Sequence, residues 1–354
     1  MFRQAQFAID FGCVRAETNL GDCKNMKHFI VGMAAACAAM AAPLAATAEP
    51  VSLILNWSPG ADHAPIYFAF DQGWYEKAGI ELDIQPGKGS GMSSQNVGLG
   101  ANDLGIAELG TAFLAKSKGA NLTAVMALYA NSPFTFYWKK SSGISGPDDF
   151  AGHTLGNPSG DAARVMWPAF AKAANIPEGG VEFVNLAPAA KIPTLAAGRV
   201  DIISDFYNGH DLKVKEFGDD LDFIRWSEIG LNPYGNSFIA NSEFLAEHED
   251  IVAGFVEVTQ RAYRACVDDS GPCIDALQAN ATGLDRQAME DQWNRVTELM
   301  TTDATVSEGL GWFDPVRIAA TYDLVDTYFG VETPFDPDAA YTNQFLSTDI
   351  KMSR

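Results

Sequence analysis

The chain has 354 residues, 47% of them hydrophobic and 19% charged, and a formal net charge of −21. That is enough apolar material for two lobes with separate cores. A surface this acidic repels nucleic acid and anionic lipid, so those partners are set aside; the charge says little about a small ligand.

Lys24 and Lys27 precede an apolar stretch, residues 29–44, that ends in Ala46-Thr47-Ala48. This pattern predicts a secretory signal cleaved after Ala48, and Met26 is an alternative initiator. The stretch is shorter than the ~20 apolar residues a membrane-spanning helix needs. Export implies an oxidising compartment, and the mature chain then carries 42 acidic against 20 basic side chains, a net charge of −22. Cys13, Cys23 and Cys37 leave with the signal. Cys266 and Cys273 remain, and an oxidising compartment favours one disulfide between them over two free thiols.

From Val51 onward, β-rich runs alternate with helical stretches. VSLILNW reads as a strand, 65–77 as a helix with Pro65 near its first turn, IELDIQP as a half-buried strand, and GKGSG as a turn before helix 93–100. DLGIAEL is a strand, 111–119 a helix and LTAVMALYA a buried strand. This order implies a mostly parallel, doubly wound sheet. After the breaker SSGISGPDD a second cycle follows: HTLGNP, helix 161–174, VEFVNL, helix 191–198 and VDIISDFY. Beyond NPYGNSFIAN come helices 242–266, 285–300 and 315–329 and a tail rich in Pro and Asp. The mature chain has no tandem repeat of the solenoid kind.

Ligands of open α/β sheets bind where loops leave the carboxyl ends of strands. That rule collects residues 56–63, 87–94, 108–111, 157–161 and 205–211. The mature chain's histidines, His63, His153, His210 and His248, show no metal-binding helical pair, and neither a G-x-S-x-G elbow nor a phosphate loop is present. Backbone amides at Ser159, Gly160 and Asp161, ahead of a helix, either hold a polar group or only cap the helix. Trp57, Tyr207 and Tyr234 are candidates for stacking on a planar ligand, with core packing as the alternative, which is favoured for Phe206.

The segments NWSPGADHAPIYFAFDQGWYEKAGIELDI, NDLGIAELGTAFLAKSKGANLTAVMALY, GLGWFDPVR and YTNQFL resemble a family of periplasmic solute-binding proteins. It includes nitrate, taurine and alkanesulfonate binders, bacterial pyrimidine (thiamine-precursor) binders and the fungal thiamine-pyrimidine synthase. The resemblance implies an α/β, two-lobed periplasmic binding protein fold of type II. Residues 49–134 and 236–354 would form lobe 1 and 135–235 lobe 2, with hinge crossings near 131–136 and 234–238. It also implies a monomer that closes on a small molecule and delivers it to an inner-membrane permease of an ABC importer, with no cofactor, metal or catalytic residue.

Asn-Trp with a following His, and the closing YTNQFL, look most like the pyrimidine branch. Asn56, Trp57 and His63 then match pocket positions, and Asp211 falls near a carboxylate that accepts from an exocyclic amine. Ser159, Gly160 and Asp161 would clamp the ring from lobe 2, Tyr207 would sandwich it against Trp57, and Glu108, Thr111 and Tyr234 are further contacts. In the fungal branch a cofactor-bearing lysine and a consumed histidine occupy positions that here are Ala107 and Thr111. Its cysteine-rich segment corresponds to LNPYGNSFIAN, which has no cysteine. Loops rich in acids argue for a neutral or cationic nitrogenous ligand over a sulfonate or nitrate. A sulfonate, taurine or nitrate binder, a synthase and a periplasmic sensor component stand as alternatives.

Overall fold

The computed structural model describes residues 48–353 apart from residue 178. The expected signal segment, with Lys24, Lys27 and Cys37, lies outside the described residues.

Two five-stranded sheets organise the chain. The first contains β1 (Glu49–Ile54), β2 (Ile80–Gln85), β3 (Leu104–Glu108), β4 (Leu122–Ala127) and β10 (Asn236–Asn241), in the order β2-β1-β3-β10-β4. The second contains β5 (Phe134–Lys139), β6 (Thr154–Asn157), β7 (Glu182–Asn185), β8 (Ile202–Phe206) and β9 (Leu221–Arg225), in the order β7-β6-β8-β5-β9. Each sheet is parallel except for one strand. β10 runs antiparallel to β3 and β4, and β5 antiparallel to β8 and β9. The exceptional strand in each sheet is the one entered on crossing from the other sheet.

All five residues of β3 are buried, as expected of a strand covered on both faces. Along β5 the alternation of period two is explicit. Phe134, Phe136 and Trp138 enter a core shared by both sheets, while Tyr137 points to a smaller cluster with Leu195, Val200 and Ile203. The shared core also takes in Phe170, Trp226, Tyr234 and Phe313. The far face of the first sheet packs on the long helix Glu249–Asp268 through Phe255 and Tyr263.

The crossings start earlier than the expected hinges. Phe134 already pairs with Phe206 in the second sheet, and Asn236 with Glu108 in the first. The connecting segments are therefore 128–133 and 226–235. Three expected helices are divided. Gly73, at φ +62°, separates Ala64–Asp71 from Trp74–Lys77. The stretch 161–174 breaks at Met166, ahead of Pro168, whose ring cannot donate a backbone hydrogen bond. His248 interrupts 242–266. Cys266 and Cys273 are both buried and bonded, and they join the Glu249–Asp268 helix to the Gly271–Asn280 helix.

Candidate functional site

A cavity of about 480 Å³ lies between the carboxyl ends of strands from the two sheets. One wall is the turn that follows β1. The chain leaves the strand at Leu55, presents Asn56 and Trp57, and turns through the short 3-10 helix Ala61–His63 into Ala64–Asp71, with Pro65 in the first turn. His63 organises this wall. The Gly60 amide donates to its Nδ1 (3.1 Å), so that nitrogen carries a lone pair and Nε2 carries the proton. Nε2 therefore donates to Asn56 Oδ1 (3.0 Å), which fixes the orientation of the amide and so the position of its donor, Nδ2. Burial lowers the His63 pKa despite nearby Asp62, which keeps the ring neutral. Asp62, only 5% exposed, also lines the cavity.

The opposite wall comes from the second sheet. Asp161 caps the Ala162–Val165 helix by accepting from Ala163 N (3.0 Å). The same carboxylate accepts from Lys191 Nζ (2.7 Å) and Ser204 Oγ (3.2 Å). Lys191 opens the helix Lys191–Ala196 after β7, and it also donates to Ser204 O (2.9 Å). Asp205, near the end of β8, is ion-paired with Lys213, whose ammonium also reaches Gly209 O (2.9 Å). Burial works against the charge of both Lys191 and Asp205. Asp161 and Asp205 nevertheless hold the lysine above its usual pKa, and Lys213 and Lys191 hold the Asp205 carboxyl below its own. This wall is a run of alternating charges from Asp161 through Lys191 and Asp205 to Lys213, where burial outweighs the pull of Asp205 and lowers the lysine's pKa.

The walls meet at two places. Lys191 Nζ sits 4.8 Å from the centre of the Trp57 ring, a cation–π contact. Gly89, at φ +132°, passes so close to Gly160 that a Cβ there would lie 2.1 Å from Gly160 O. Only glycine permits that approach. Met289 and Gln292, one turn apart on the Arg286–Met300 helix, add to the lining together with Phe206.

Of the residues expected at the site, Asn56, Trp57, His63 and Asp161 line this cavity and the rest do not. Ser159 and Gly160 precede the capping Asp161 at the lobe contact rather than in the lining. Glu108 caps the Leu109–Ser117 helix, accepting from Gly110 N, Thr111 N and Thr111 Oγ1, and this also engages the Thr111 hydroxyl. Burial pushes its pKa up to about 7 against those hydrogen bonds. Tyr234 is buried, and its hydroxyl accepts from Asp314 N (2.7 Å).

The Trp57–Tyr207 sandwich and the Asp211 amine acceptor are corrected by the geometry. Tyr207 stacks on His210 with Arg225 over its ring at 4.1 Å. Asp211 holds Arg295 through two hydrogen bonds (3.0 and 3.1 Å), and Arg295 also reaches the Tyr207 hydroxyl (3.2 Å). Arg295 lies on Arg286–Met300, whose apolar face packs into the first sheet's core, so these contacts tie the lobes together outside the cavity. Phe206, read as core, packs on Tyr129 and Phe134 and also faces the cavity.

Sequence reading missed Lys191, Lys213, Met289 and Gln292 and did not single out Asp62. The strand-end rule applied to VEFVNL would have reached Lys191; no local signal marks the two residues of the late helix. Among the described residues, no group of three or more His, Cys, Asp or Glu is placed to hold a metal ion, and no helix is long and apolar enough to cross a membrane.

The family model "NMT1/THI5 like" matches residues 60–270, more than half of the chain. The formylaminopyrimidine-binding protein of Halalkalibacterium halodurans is 23% identical over 66% of this chain and 71% of its own. The 4-amino-5-hydroxymethyl-2-methylpyrimidine phosphate synthase of Legionella pneumophila is 22% identical over 84% of this chain and 92% of its own. Among solved structures, the alkanesulfonate-binding protein SsuA from Xanthomonas axonopodis pv. citri, bound to MOPS, superposes with a TM-score of 0.64. The match is at 15% identity and covers 83% of this chain and 98% of that one. The chain belongs to the NMT1/THI5 like family and is built on the two-lobed periplasmic binding protein fold.

Proposed function

We propose that the protein is the exported binding component of an ABC uptake system, closing its two lobes on a small planar nitrogenous ligand of the pyrimidine, thiamine-precursor type. The observation that carries this reading is the cavity itself. Its volume of about 480 Å³ suits a small molecule, for which ~300–1,000 Å³ is typical. It offers aromatic surface from Trp57 and Phe206 and a fixed amide donor from Asn56, all at strand ends of the kind that bind ligands in α/β folds. The family and the formylaminopyrimidine-binding relative support the ligand class. The ligand would then pass to a membrane permease.

A non-catalytic role is supported by the two positions where the resemblance places the synthases' reactive groups. Ala107 lies fully buried in β3 with no functional side chain, and Thr111 gives its hydroxyl proton to Glu108. Neither can carry a cofactor or enter a ring-forming reaction.

Thermal unfolding against a panel of pyrimidines, other nitrogenous heterocycles, sulfonates and nitrate tests the reading. A pyrimidine at one hundred times its dissociation constant should stabilise the fold by ~2.7 kcal/mol. Stabilisation by sulfonates or nitrate alone would overturn it.

A further inference from the structure

Four carboxylates line the cavity: Asp62, Asp161, Asp205 and Asp285. Asp161 and Asp205 are paired with the ammonium groups of Lys191 and Lys213. Asp285 is exposed and caps the Arg286–Met300 helix through Ala288 N (3.0 Å). Asp62 differs from all three. It is 95% buried, and no lysine or arginine among the described residues lies within ion-pair distance of it. The nearest ring nitrogen, His63 Nδ1 at 3.4 Å, is engaged in accepting from the Gly60 amide and has no proton to offer.

Two phenols lie near this carboxylate. The Tyr263 hydroxyl donates to the backbone oxygen of Asp62 (2.6 Å). The fully buried Tyr129 hydroxyl is held well above its usual pKa by burial and then by the charge and hydrogen bonding of the Asp62 carboxylate, and it has no other hydrogen-bond partner. Neither phenol brings positive charge. A carboxylate taken out of water without a compensating cation is strongly destabilising, so an arrangement that keeps one facing a cavity implies that the compensation comes from what enters.

We infer that Asp62 is the specificity group of the cavity, accepting a cationic or strongly polarised N–H of the ligand, as an amidine or amino-substituted ring nitrogen system presents it. The inference rests on the binding-protein reading and narrows it. Asn56 Nδ2 supplies a donor on the same turn, so the first wall addresses a ring edge that carries both an N–H and a lone pair. Anions are disfavoured here although the cavity contains two lysines, because both ammonium groups already neutralise carboxylates of their own wall. A charge-assisted hydrogen bond is about twice as strong as a neutral one, which makes Asp62 a discriminating contact as well as an attractive one.

The test is calorimetric titration of the wild-type protein and Asp62→Asn with 4-amino-5-hydroxymethyl-2-methylpyrimidine, with the same ring lacking its amine, and with methanesulfonate. The wild type should prefer the amine-bearing ring. Asp62→Asn should bind that ring about 10- to 100-fold more weakly and change little toward the other pyrimidine. Its ligand-free thermal midpoint should equal or exceed the wild-type value, because the substitution removes an uncompensated buried charge. An undiminished preference in Asp62→Asn overturns the inference, and so does a large drop in its ligand-free midpoint, which would assign Asp62 a structural role. Equal wild-type affinity for the two pyrimidines overturns Asp62's role and leaves the binding-protein reading standing. Binding of methanesulfonate alone overturns both.

Discussion

The two walls of the cavity solve the problem of buried polarity in opposite ways. On the second-sheet side, Asp161, Lys191, Asp205 and Lys213 neutralise one another and leave little for a ligand to satisfy. On the first-sheet side, one neutral imidazole orients Asn56 while Asp62 keeps its carboxylate without a cation. A wall whose charges are mutually satisfied can meet many ligands without favouring any. The wall with open valences selects. The cation–π contact of Lys191 on Trp57 places the two walls' principal groups against each other.

The largest expected effect lies in the self-satisfied wall. Lys191→Met leaves Asp161 buried without its cation and should cost roughly 3–5 kcal/mol of stability, measured by denaturant unfolding. Adding Asp161→Asn, which can still cap the Ala162–Val165 helix, should restore most of the loss. A single variant as stable as the wild type would break the comparison, since the wall would then not depend on its internal pairing.

Next in size is Glu108, behind the first wall, where its backbone amide donates to Oγ of Ser90, a lining residue (3.0 Å). Its folded pKa of about 7 stands above the ordinary 4.5, so between those values the folded state binds more protons than the unfolded state. Its contribution is fully present below pH 4.5 and is lost as pH rises to about 7, a change of about 3 kcal/mol at most. His63 acts in the opposite direction. Its pKa is lowered on folding, so its contribution is lost as pH falls below its unfolded value of 6.5. The wild-type curve therefore mixes the two, and Glu108→Gln isolates one. The variant should gain stability relative to wild type as pH rises from 4.5 to 7, and parallel curves would contradict the assignment.

Smaller again is Trp57→Ala. Loss of its ring face should weaken binding of a planar ligand by about 10-fold, given ~0.5–1.5 kcal/mol for a ring contact beyond its area. Trp57 is only partly buried, so the fold should survive. Unchanged affinity in titration would remove the indole from the site.

Much of the architecture was legible because each sheet is written as strand and helix in turn, with glycines and prolines at the joints. β5, β9 and β10 were not, since FTFYWK and NSFIAN sit where the chain crosses between sheets and read as hinges, and LDFIR follows the acidic turn Gly218–Asp220 with no alternation strong enough to stand out. The first wall was legible for a related reason. Asn56, Trp57 and His63 fall within eight consecutive residues, so one turn carries the constellation. The second wall is assembled from residues up to 52 positions apart, Asp161 to Lys213. Whether a carboxylate is open or paired is decided by such distant neighbours. Asp211 has the composition of a ligand acceptor, yet Arg295, 84 residues further on, already occupies it. Asp62 adjoins a histidine and passed as part of a polar turn, yet it is the buried lining carboxylate left without a cation.

Selection by the first wall is tested most directly by a crystal structure of the protein with 4-amino-5-hydroxymethyl-2-methylpyrimidine bound. The ring is expected between the two walls, in contact with Trp57, its amine on the Asp62 carboxylate and a ring nitrogen facing Asn56 Nδ2. A ring bound away from this turn, or held only by the Lys191 and Lys213 side, would contradict it.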